Sequence, residues 1–236
     1  MQPNSVTVQK IVDEALSKIL NETIQTIGAG RTDAGVHATF FCAHFDSNSE
    51  DLDIGNKLVF KLNRFLPPDI SIISIRKVIP DANARYSAIS RTYKYFISRS
   101  KDPFSTHSSW YLHGNIDVSL MNEASNLLME YDDFTSFSRL HGGARTNICR
   151  IYSAHWDESG NQLVFTIKAD RFLRNMVRAI VGTLVDLGFG KMSLDEFREV
   201  IASKDRCRAG MSAPAQGLFL TDIEYPDEIF LSQKGC

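Results

Sequence analysis

The segment Gly28-Ala29-Gly30-Arg31-Thr32-Asp33-Ala34-Gly35-Val36-His37-Ala38 joins two short stretches that predict β-strands, Thr23 to Ile27 and Thr39 to Phe45. Its three glycines permit positive φ angles and let another molecule approach the main chain closely. The segment therefore places Asp33 and Arg31 on a connection supported by strands, where reactive groups are usually found. We expect Asp33 to be a functional carboxylate. The alternative is an Asx-turn residue that only hydrogen-bonds to its own backbone.

The chain before residue 103 predicts an α+β unit. Apolar side chains at three- and four-residue spacing indicate a helix over Ser5 to Leu20, with Asn4 or Ser5 as its N-cap. The other predicted elements of this unit are a helix over Ile54 to Phe65, which ends before Pro67-Pro68, and strands over Ile70 to Val78 and Arg91 to Ser98.

A polar segment without periodicity, Lys101-Asp102-Pro103-Phe104 to about Trp110, predicts a boundary between halves 1–102 and 103–236. The second half repeats the plan of the first, so we expect an α+β fold of two related α/β-sandwich halves with antiparallel or mixed sheets and helices on one face. Its predicted elements are helices over Leu120 to Tyr131, Phe172 to Leu187 and Leu194 to Ala202, the last opened by a capping box at Ser193, and strands over Arg150 to Trp156, Gln162 to Ala169 and Leu218 to Tyr225.

Composition indicates a globular protein. The 236 residues are 43% hydrophobic and 23% charged, which allows one large core or two smaller ones. The four cysteines are scattered without a C-x-x-C pair, so the sequence predicts neither a zinc site nor a disulfide framework and favours reduced thiols in the cytoplasm. No stretch approaches the roughly 18 apolar residues of a membrane span, and no signal-peptide pattern begins the chain.

Charge is segregated along the chain, although the net charge is only −2. Residues 85–101 and 139–150 contain several lysines and arginines and no acidic residue, whereas acidic residues cluster at 46–53 and 222–228. This pattern favours a basic surface for nucleic acid on a nearly neutral protein. Solvated loops of accidental sign are the alternative. The segment around Asp33 lacks the third glycine of a dinucleotide-binding loop, the chain lacks a P-loop lysine motif, and no metal-ligand cluster is predicted.

The Gly-Arg-Thr-Asp-Ala-Gly-Val-His run resembles the TruA-type tRNA pseudouridine synthases, in which it carries the catalytic aspartate. The resemblance extends from about Gln2 to about Tyr225. Further motifs of the family recur in order: Arg85-Tyr86-Ser87-Ala88, Arg91-Thr92-Tyr93-Lys94-Tyr95, Asp133-Phe134-Thr135-Ser136-Phe137, Arg145-Thr146, Arg150-Ile151, and Asn175-Met176-Val177-Arg178-Ala179-Ile180-Val181-Gly182.

The resemblance implies roles for individual residues. Asp33 is the expected catalytic carboxylate, Arg178 the arginine that pairs with it, and Tyr93 the substrate-binding tyrosine, while Tyr95 is expected in the core. Arg31 resembles an arginine that helps to displace and hold the target nucleotide. We expect Arg85, Arg91 and Arg145 to contact phosphates. Other interpretations are a surface arginine for Arg178 and simple charge balance with Asp33 for Arg31.

Family members usually begin with an additional strand carrying Tyr-Asp-Gly and Gly-Trp-Gln motifs. The match here starts at Gln2-Pro3-Asn4, just beyond that strand, so we expect this chain to lack it.

The resemblance implies an isomerase that converts uridine to pseudouridine at positions 38 to 40 in the anticodon stem-loop of tRNA. It also implies a cleft between the two halves, no cofactor and no metal, and a cytoplasmic homodimer that binds tRNA and no membrane. The alternative from another functional class is a non-catalytic RNA-binding module, or a truncated inactive homologue. Such a module would keep the basic surface and the tyrosine but would not need Asp33.

Overall fold

The computed structural model describes residues 6–52, 54–139 and 145–231. The α-helices of this part of the chain are α1 (Val8–Leu20), α2 (Lys57–Phe65), α3 (Val118–Leu127), α4 (Met176–Gly188) and α5 (Leu194–Ala202). Its strands are β1 (Ile27–Gly28), β2 (His37–Ala38), β3 (Ala43–His44), β4 (Ser90–Ser98), β5 (Trp110–Tyr111), β6 (Ile151–Ser159), β7 (Gln162–Ala169) and β8 (Leu218–Glu224). The predicted α+β class is confirmed. Within these residues, no helix is both long and apolar enough to cross a membrane.

The chain forms two compact units that are interleaved in sequence. Unit 1 contains Met1–Gly30, Cys42–Ala88 and Tyr225–Cys236, and unit 2 contains Arg31–Phe41 and Ile89–Glu224. This division differs from the predicted halves, residues 1–102 and 103–236, which stay a prediction. The segment around Asp33 belongs to unit 2.

Unit 1 is built on α1 and α2, which pack through Leu16, Leu58 and Leu62. Thr7 caps α1 by accepting a hydrogen bond from the Lys10 amide, so the helix begins later than predicted, and the predicted caps Asn4 and Ser5 lie outside the described residues. Strands β1 and β3 pair antiparallel and are only two residues long, shorter than the sequence predicts.

The predicted strand over Ile70 to Val78 is wrong. Val78 makes only an isolated bridge with Phe230. Ile72 is held instead by the side chain of Asn63 on α2, which donates to the Ile72 carbonyl at 2.8 Å and accepts from its amide at 2.7 Å. The apolar alternation that suggested a strand reflects isoleucines packed against the unit 1 core, and the described residues include no strand that pairs with this segment.

Unit 2 contains one mixed sheet with the strand order β2-β8-β4-β7-β6, and β5 pairs with the end of β4. The long pairs β4 with β7, β4 with β8, and β6 with β7 are antiparallel, whereas β2 runs parallel to β8. The predicted hairpin of β6 and β7 is confirmed, with its turn at Gly160 in the left-handed region (φ 57°). This sheet is the scaffold that positions the candidate site.

Helices α3, α4 and α5 pack with this sheet around one core in unit 2. The capping box of α5 is confirmed, because the Ser193 hydroxyl accepts from the Glu196 amide while the Glu196 carboxylate accepts from the Ser193 amide. Helix α4 is almost entirely buried. It begins at Met176 and not at Phe172 as predicted, since Asn175 adopts a left-handed conformation (φ 68°) that ends the preceding loop.

Candidate active site

The segment that carries Asp33 is a tight turn fixed to the edge of the unit 2 sheet. The Asp33 carbonyl accepts the Val36 amide at 3.1 Å, and Gly35 between them has a φ of +82°, which only glycine adopts readily. The turn runs into β2, where His37 is aligned with Phe219 of β8 and stacks on its ring at 4.6 Å. The unit 2 sheet therefore holds the backbone beneath Asp33 through the strand that follows the turn.

The predicted contact between Asp33 and Arg178 is present. Arg178 Nη1 lies 3.2 Å from Asp33 Oδ2, and Arg178 Nε donates to the Ala213 carbonyl at 2.7 Å. Their side chains are 22% and 20% exposed, so water screens this pair less than it would screen a surface ion pair. Both residues belong to unit 2.

A second cation, Arg174, lies on the other oxygen of the same carboxylate. Its Nε is 3.6 Å from Asp33 Oδ1, and its side chain is 46% exposed. The sequence analysis gave Arg174 no role, because a helix beginning at Phe172 would place it simply one turn before Arg178. The left-handed Asn175 between the two arginines was the available signal, since asparagine tolerates that conformation and often marks a helix end.

The backbone of residues 209–213 braces the start of α4. Arg206 donates to the carbonyls of residues 209 and 210 and to the Ser212 hydroxyl, which also accepts from Asn175 Nδ2 at 2.6 Å. Ala213 donates its amide to the Arg178 carbonyl at 2.9 Å. Gly182 permits this close approach, because a Cβ there would lie 1.7 Å from the Met211 carbonyl oxygen. The brace escaped the sequence analysis, although a glycine within an apolar helix pattern was a signal for it.

Tyr93 lies on β4 and contacts the loop before α4. Its ring meets Phe172 edge to face, with the centroids 5.1 Å apart. Burial raises the pKa of Tyr93 to about 12, with a further rise from the Asp33 charge and an opposing effect of Arg91. Tyr95 is fully buried, as predicted, and donates its hydroxyl to the Pro214 carbonyl at 2.8 Å.

The four predicted phosphate-contacting or nucleotide-holding arginines are found in different settings. Arg31 is exposed, two residues before Asp33, and Arg145 is exposed in unit 2. Arg91 is partly buried and donates Nη1 to the Asp170 carbonyl at 2.8 Å, so its guanidinium also serves the protein. Arg85 is exposed and belongs to unit 1, where its guanidinium lies over the Tyr86 ring.

The arrangement is a carboxylate between two guanidinium groups, with a neutral phenol in the same unit. A carboxylate held in this way can act as a nucleophile or as a general base toward a polyanionic substrate whose charge would otherwise repel it. Among the described residues, no group of three or more His, Cys, Asp or Glu side chains is placed to hold a metal ion.

Comparisons with known proteins agree with this chemistry. The family model described as tRNA pseudouridine synthase matches residues 127–226. The tRNA pseudouridine synthase A of Bacteroides fragilis is 52% identical over 98% of this chain and 91% of its own length. The enzyme of the same name from Colwellia psychrerythraea is 36% identical over 99% and 90%, and that from Exiguobacterium sibiricum is 34% identical over 100% and 92%. With relatives this similar along nearly their full length, the chain belongs to the family of TruA-type tRNA pseudouridine synthases and is an isomerase of the pseudouridine synthase class.

Proposed function

We propose that this enzyme converts uridine to pseudouridine in the anticodon stem-loop of tRNA, at positions 38 to 40, with Asp33 as its catalytic carboxylate. The observation that supports this proposal is the contact of both Asp33 oxygens with arginines in one compact unit. The names of the relatives support tRNA as the substrate. The stem-loop and the three positions come from the resemblance of the Asp33 segment.

The reaction needs one carboxylate and a way of holding a detached base. The bond between C1′ of the ribose and N1 of uracil breaks, the base turns, and a bond forms between C1′ and C5. The hydrogen on C5 leaves as a proton and N1 gains one, so the product is an isomer of the substrate. Because no electron or group is gained, no cofactor is required. Asp33 supplies the nucleophile or base, and Arg178 balances its charge and fixes Oδ2.

Tyr93 is placed to hold the base. A uracil taken out of its helical stack needs a flat apolar surface, and stacking on an aromatic ring typically contributes about 1–3 kcal/mol. The Phe172 contact orients the Tyr93 ring from one side. The hydroxyl is protonated at neutral pH, as an ordinary tyrosine hydroxyl is, and burial raises its pKa further, so it can donate a hydrogen bond to a uracil carbonyl.

The remaining arginines serve the RNA backbone in this proposal. Arg31 helps to displace and hold the nucleotide because it precedes Asp33 by two residues and is exposed, and Arg145 offers an exposed cation in the same unit. Arg91 and Arg85 contribute further phosphate contacts. We also propose that the enzyme acts as a homodimer in the cytoplasm, where tRNA is found, and for the dimer the support is the resemblance alone.

The direct test uses tRNA transcripts labelled with tritium at C5 of uridine, because every turnover releases that hydrogen. Three transcripts carry uridine at only one of positions 38, 39 and 40, and a control carries cytidine at all three. We expect release from the first three and none from the control. Asp33→Asn keeps the shape of the side chain and removes its charge, so it should abolish release while tRNA binding largely persists. Tight binding of tRNA without any release by the wild-type chain would favour a non-catalytic RNA-binding module, and release by Asp33→Asn would overturn the role of Asp33.

A further inference from the structure

The two oxygens of Asp33 have unlike partners. Oδ2 lies 3.2 Å from Nη1 of Arg178, within hydrogen-bond range, whereas Oδ1 lies 3.6 Å from Nε of Arg174, which is too long for a hydrogen bond. The Arg174 side chain is also more than twice as exposed as that of Arg178, 46% against 20%. The contact at Oδ1 is therefore the weaker of the two, because both distance and water reduce it.

The two arginines also differ in how they are held. Arg178 lies on α4 and is fixed by the bond from its Nε to the Ala213 carbonyl. For the Arg174 side chain, the ion pair with Asp33 is the contact found within the described part of the chain. Its backbone is nevertheless firm, since the Arg174 carbonyl accepts the Arg139 amide at 3.1 Å and the loop starts at Asp170, whose carboxylate accepts two backbone amides. A weakly held, partly exposed guanidinium thus extends from a loop with a fixed backbone.

We propose that Arg174 is a displaceable positioning residue that moves from Asp33 to a phosphate of the RNA when the target nucleotide enters, an inference that rests on the proposed function. Without RNA, its guanidinium balances Oδ1. With RNA, the phosphate beside the target nucleotide replaces the carboxylate as its partner, and Oδ1 becomes free to face the nucleotide. Arg178 stays on Oδ2 throughout, so the carboxylate keeps one cation and a fixed orientation.

The chemistry of the two anions favours this exchange. A guanidinium binds phosphate through two parallel hydrogen bonds, which the 3.6 Å contact to Asp33 does not provide. The exchange also suits the reaction, because a cation beside Oδ1 lowers the nucleophilicity of that oxygen until the phosphate draws the cation away. Binding of the correct phosphate would therefore release the catalytic oxygen only when substrate is present.

The first experiment compares Arg174→Gln and Arg174→Lys with the matched control Arg198→Gln, in the full-length chain with unmodified tRNA. Arg198 is a similarly exposed arginine on α5 whose partners are Glu130 and Asp195, away from Asp33. We expect Arg174→Gln to raise KM about tenfold, the effect of losing one charged hydrogen bond, while kcat falls less than about threefold. The slope of log binding constant against log salt should fall by about one. Arg174→Lys should restore the salt slope but should reverse only part of the rise in KM. The control Arg198→Gln should match the wild-type enzyme in both quantities.

The second experiment identifies the phosphate. Stem-loop RNAs carry one uncharged methylphosphonate linkage, on either the 5′ or the 3′ side of the target uridine. With one of these RNAs, the wild-type enzyme should show the same rise in KM that Arg174→Gln shows with unmodified RNA. Arg174→Gln acting on that modified RNA should show no further rise in KM.

Two outcomes would overturn the proposal. One is a loss in kcat comparable to that of Asp33→Asn with unchanged KM and salt slope, which would place Arg174 in the transition state as a permanent partner of Asp33. The other is that the effects of Arg174→Gln and of the methylphosphonate on KM multiply with both modified RNAs, since Arg174 would then contact neither phosphate. Circular dichroism of each variant excludes misfolding as the cause. Failure of the proposed function would appear differently, as an absence of turnover by the wild-type enzyme.

Discussion

Gly182→Ala tests whether residues 211–213, which pack against α4, hold Arg178 in position. Gly182 lies on α4, and a Cβ added there would be 1.7 Å from the Met211 carbonyl oxygen and 2.9 Å from the carbonyl carbon. Both neighbours are backbone atoms, so no side-chain rotation relieves the overlap. Residues 211–213 must move away from α4. Ala213 moves with them, although its amide and carbonyl both bond to Arg178.

The size of the effect follows from these contacts. Forcing a methyl group into a packed site typically costs about 1–3 kcal/mol. Weakening the two bonds between Ala213 and Arg178 costs roughly 1–3 kcal/mol more, since one involves a charged donor. Alanine regains about 1 kcal/mol as the better helix former. The net expectation is destabilisation by about 3 kcal/mol, which in a chain of this length lowers the Tm by roughly 6–12 °C.

A matched control on the same helix separates stability from activity. A Cβ at Gly188 would also clash, 2.6 Å from Met121 Sδ and 2.7 Å from Ile116 Cγ1, but both are side-chain atoms without a connection to Arg178. Gly188→Ala should therefore destabilise the protein by about 1–3 kcal/mol and leave kcat unchanged. Gly182→Ala should lower kcat at least tenfold at a temperature well below both Tm values.

The assay pairs thermal unfolding, followed by circular dichroism, with tritium release at saturating tRNA. Unchanged kcat in Gly182→Ala, despite the expected fall in Tm, would refute the idea that residues 211–213 position Arg178. Equal losses of kcat in the two variants would refute it as well, because the loss would then follow stability alone.

Three further predictions concern Arg178 and Tyr93. Arg178→Met should lower kcat more than tRNA affinity, since Arg178 contacts the carboxylate of Asp33; an unchanged kcat with a smaller salt slope of binding would instead assign it to RNA phosphate. Tyr93→Leu should lose at least tenfold more kcat/KM than Tyr93→Phe, because phenylalanine keeps the stacking face, and equal losses in the two would point to the hydroxyl. Burial raises the pKa of Tyr93 to about 12 from an unfolded value near 10. The free energy of unfolding should therefore fall between about pH 10 and pH 12. Denaturant titrations should show a smaller fall for Tyr93→Phe than for the wild-type protein.

Elements with local signals were predictable from the sequence. The capping box at Ser193 fixed the start of α5, the periodic apolar stripe located α1, and the turn at Gly160 located the hairpin of β6 and β7. Each signal acts within a few residues, so no knowledge of the remaining chain was needed. The segment from Ile70 to Val78 shows the limit, because an apolar alternation reports burial and cannot report whether a strand lies alongside.

In the candidate site too, contacts between residues distant in sequence could not be predicted from local signals. Asp33 and Arg178 were paired in advance only through the resemblance to a family, because nothing in their spacing brings residues so far apart together. Arg174 escaped prediction because the left-handed Asn175 interrupts the apparent helix, so that Arg174 lies in the preceding loop and not on the predicted helix face. The brace at residues 209–213 depends on tertiary packing against Gly182, which the sequence signals only as a glycine.

The pairing of β2 with β8 has a consequence for how the enzyme is made. His37 is aligned with Phe219, so the turn that carries Asp33 docks on a strand that is synthesised long after it. Contacts between residues so distant in sequence form late, because closing the long loop between them costs conformational entropy before the contacts can stabilise the fold. Asp33 leaves the ribosome well before β8, so its turn cannot dock on that strand until β8 has been synthesised. A nascent chain that lacks β8 thus exposes the aspartate without its sheet, and under the proposed role of Asp33 RNA modification can begin only once β8 has paired with β2.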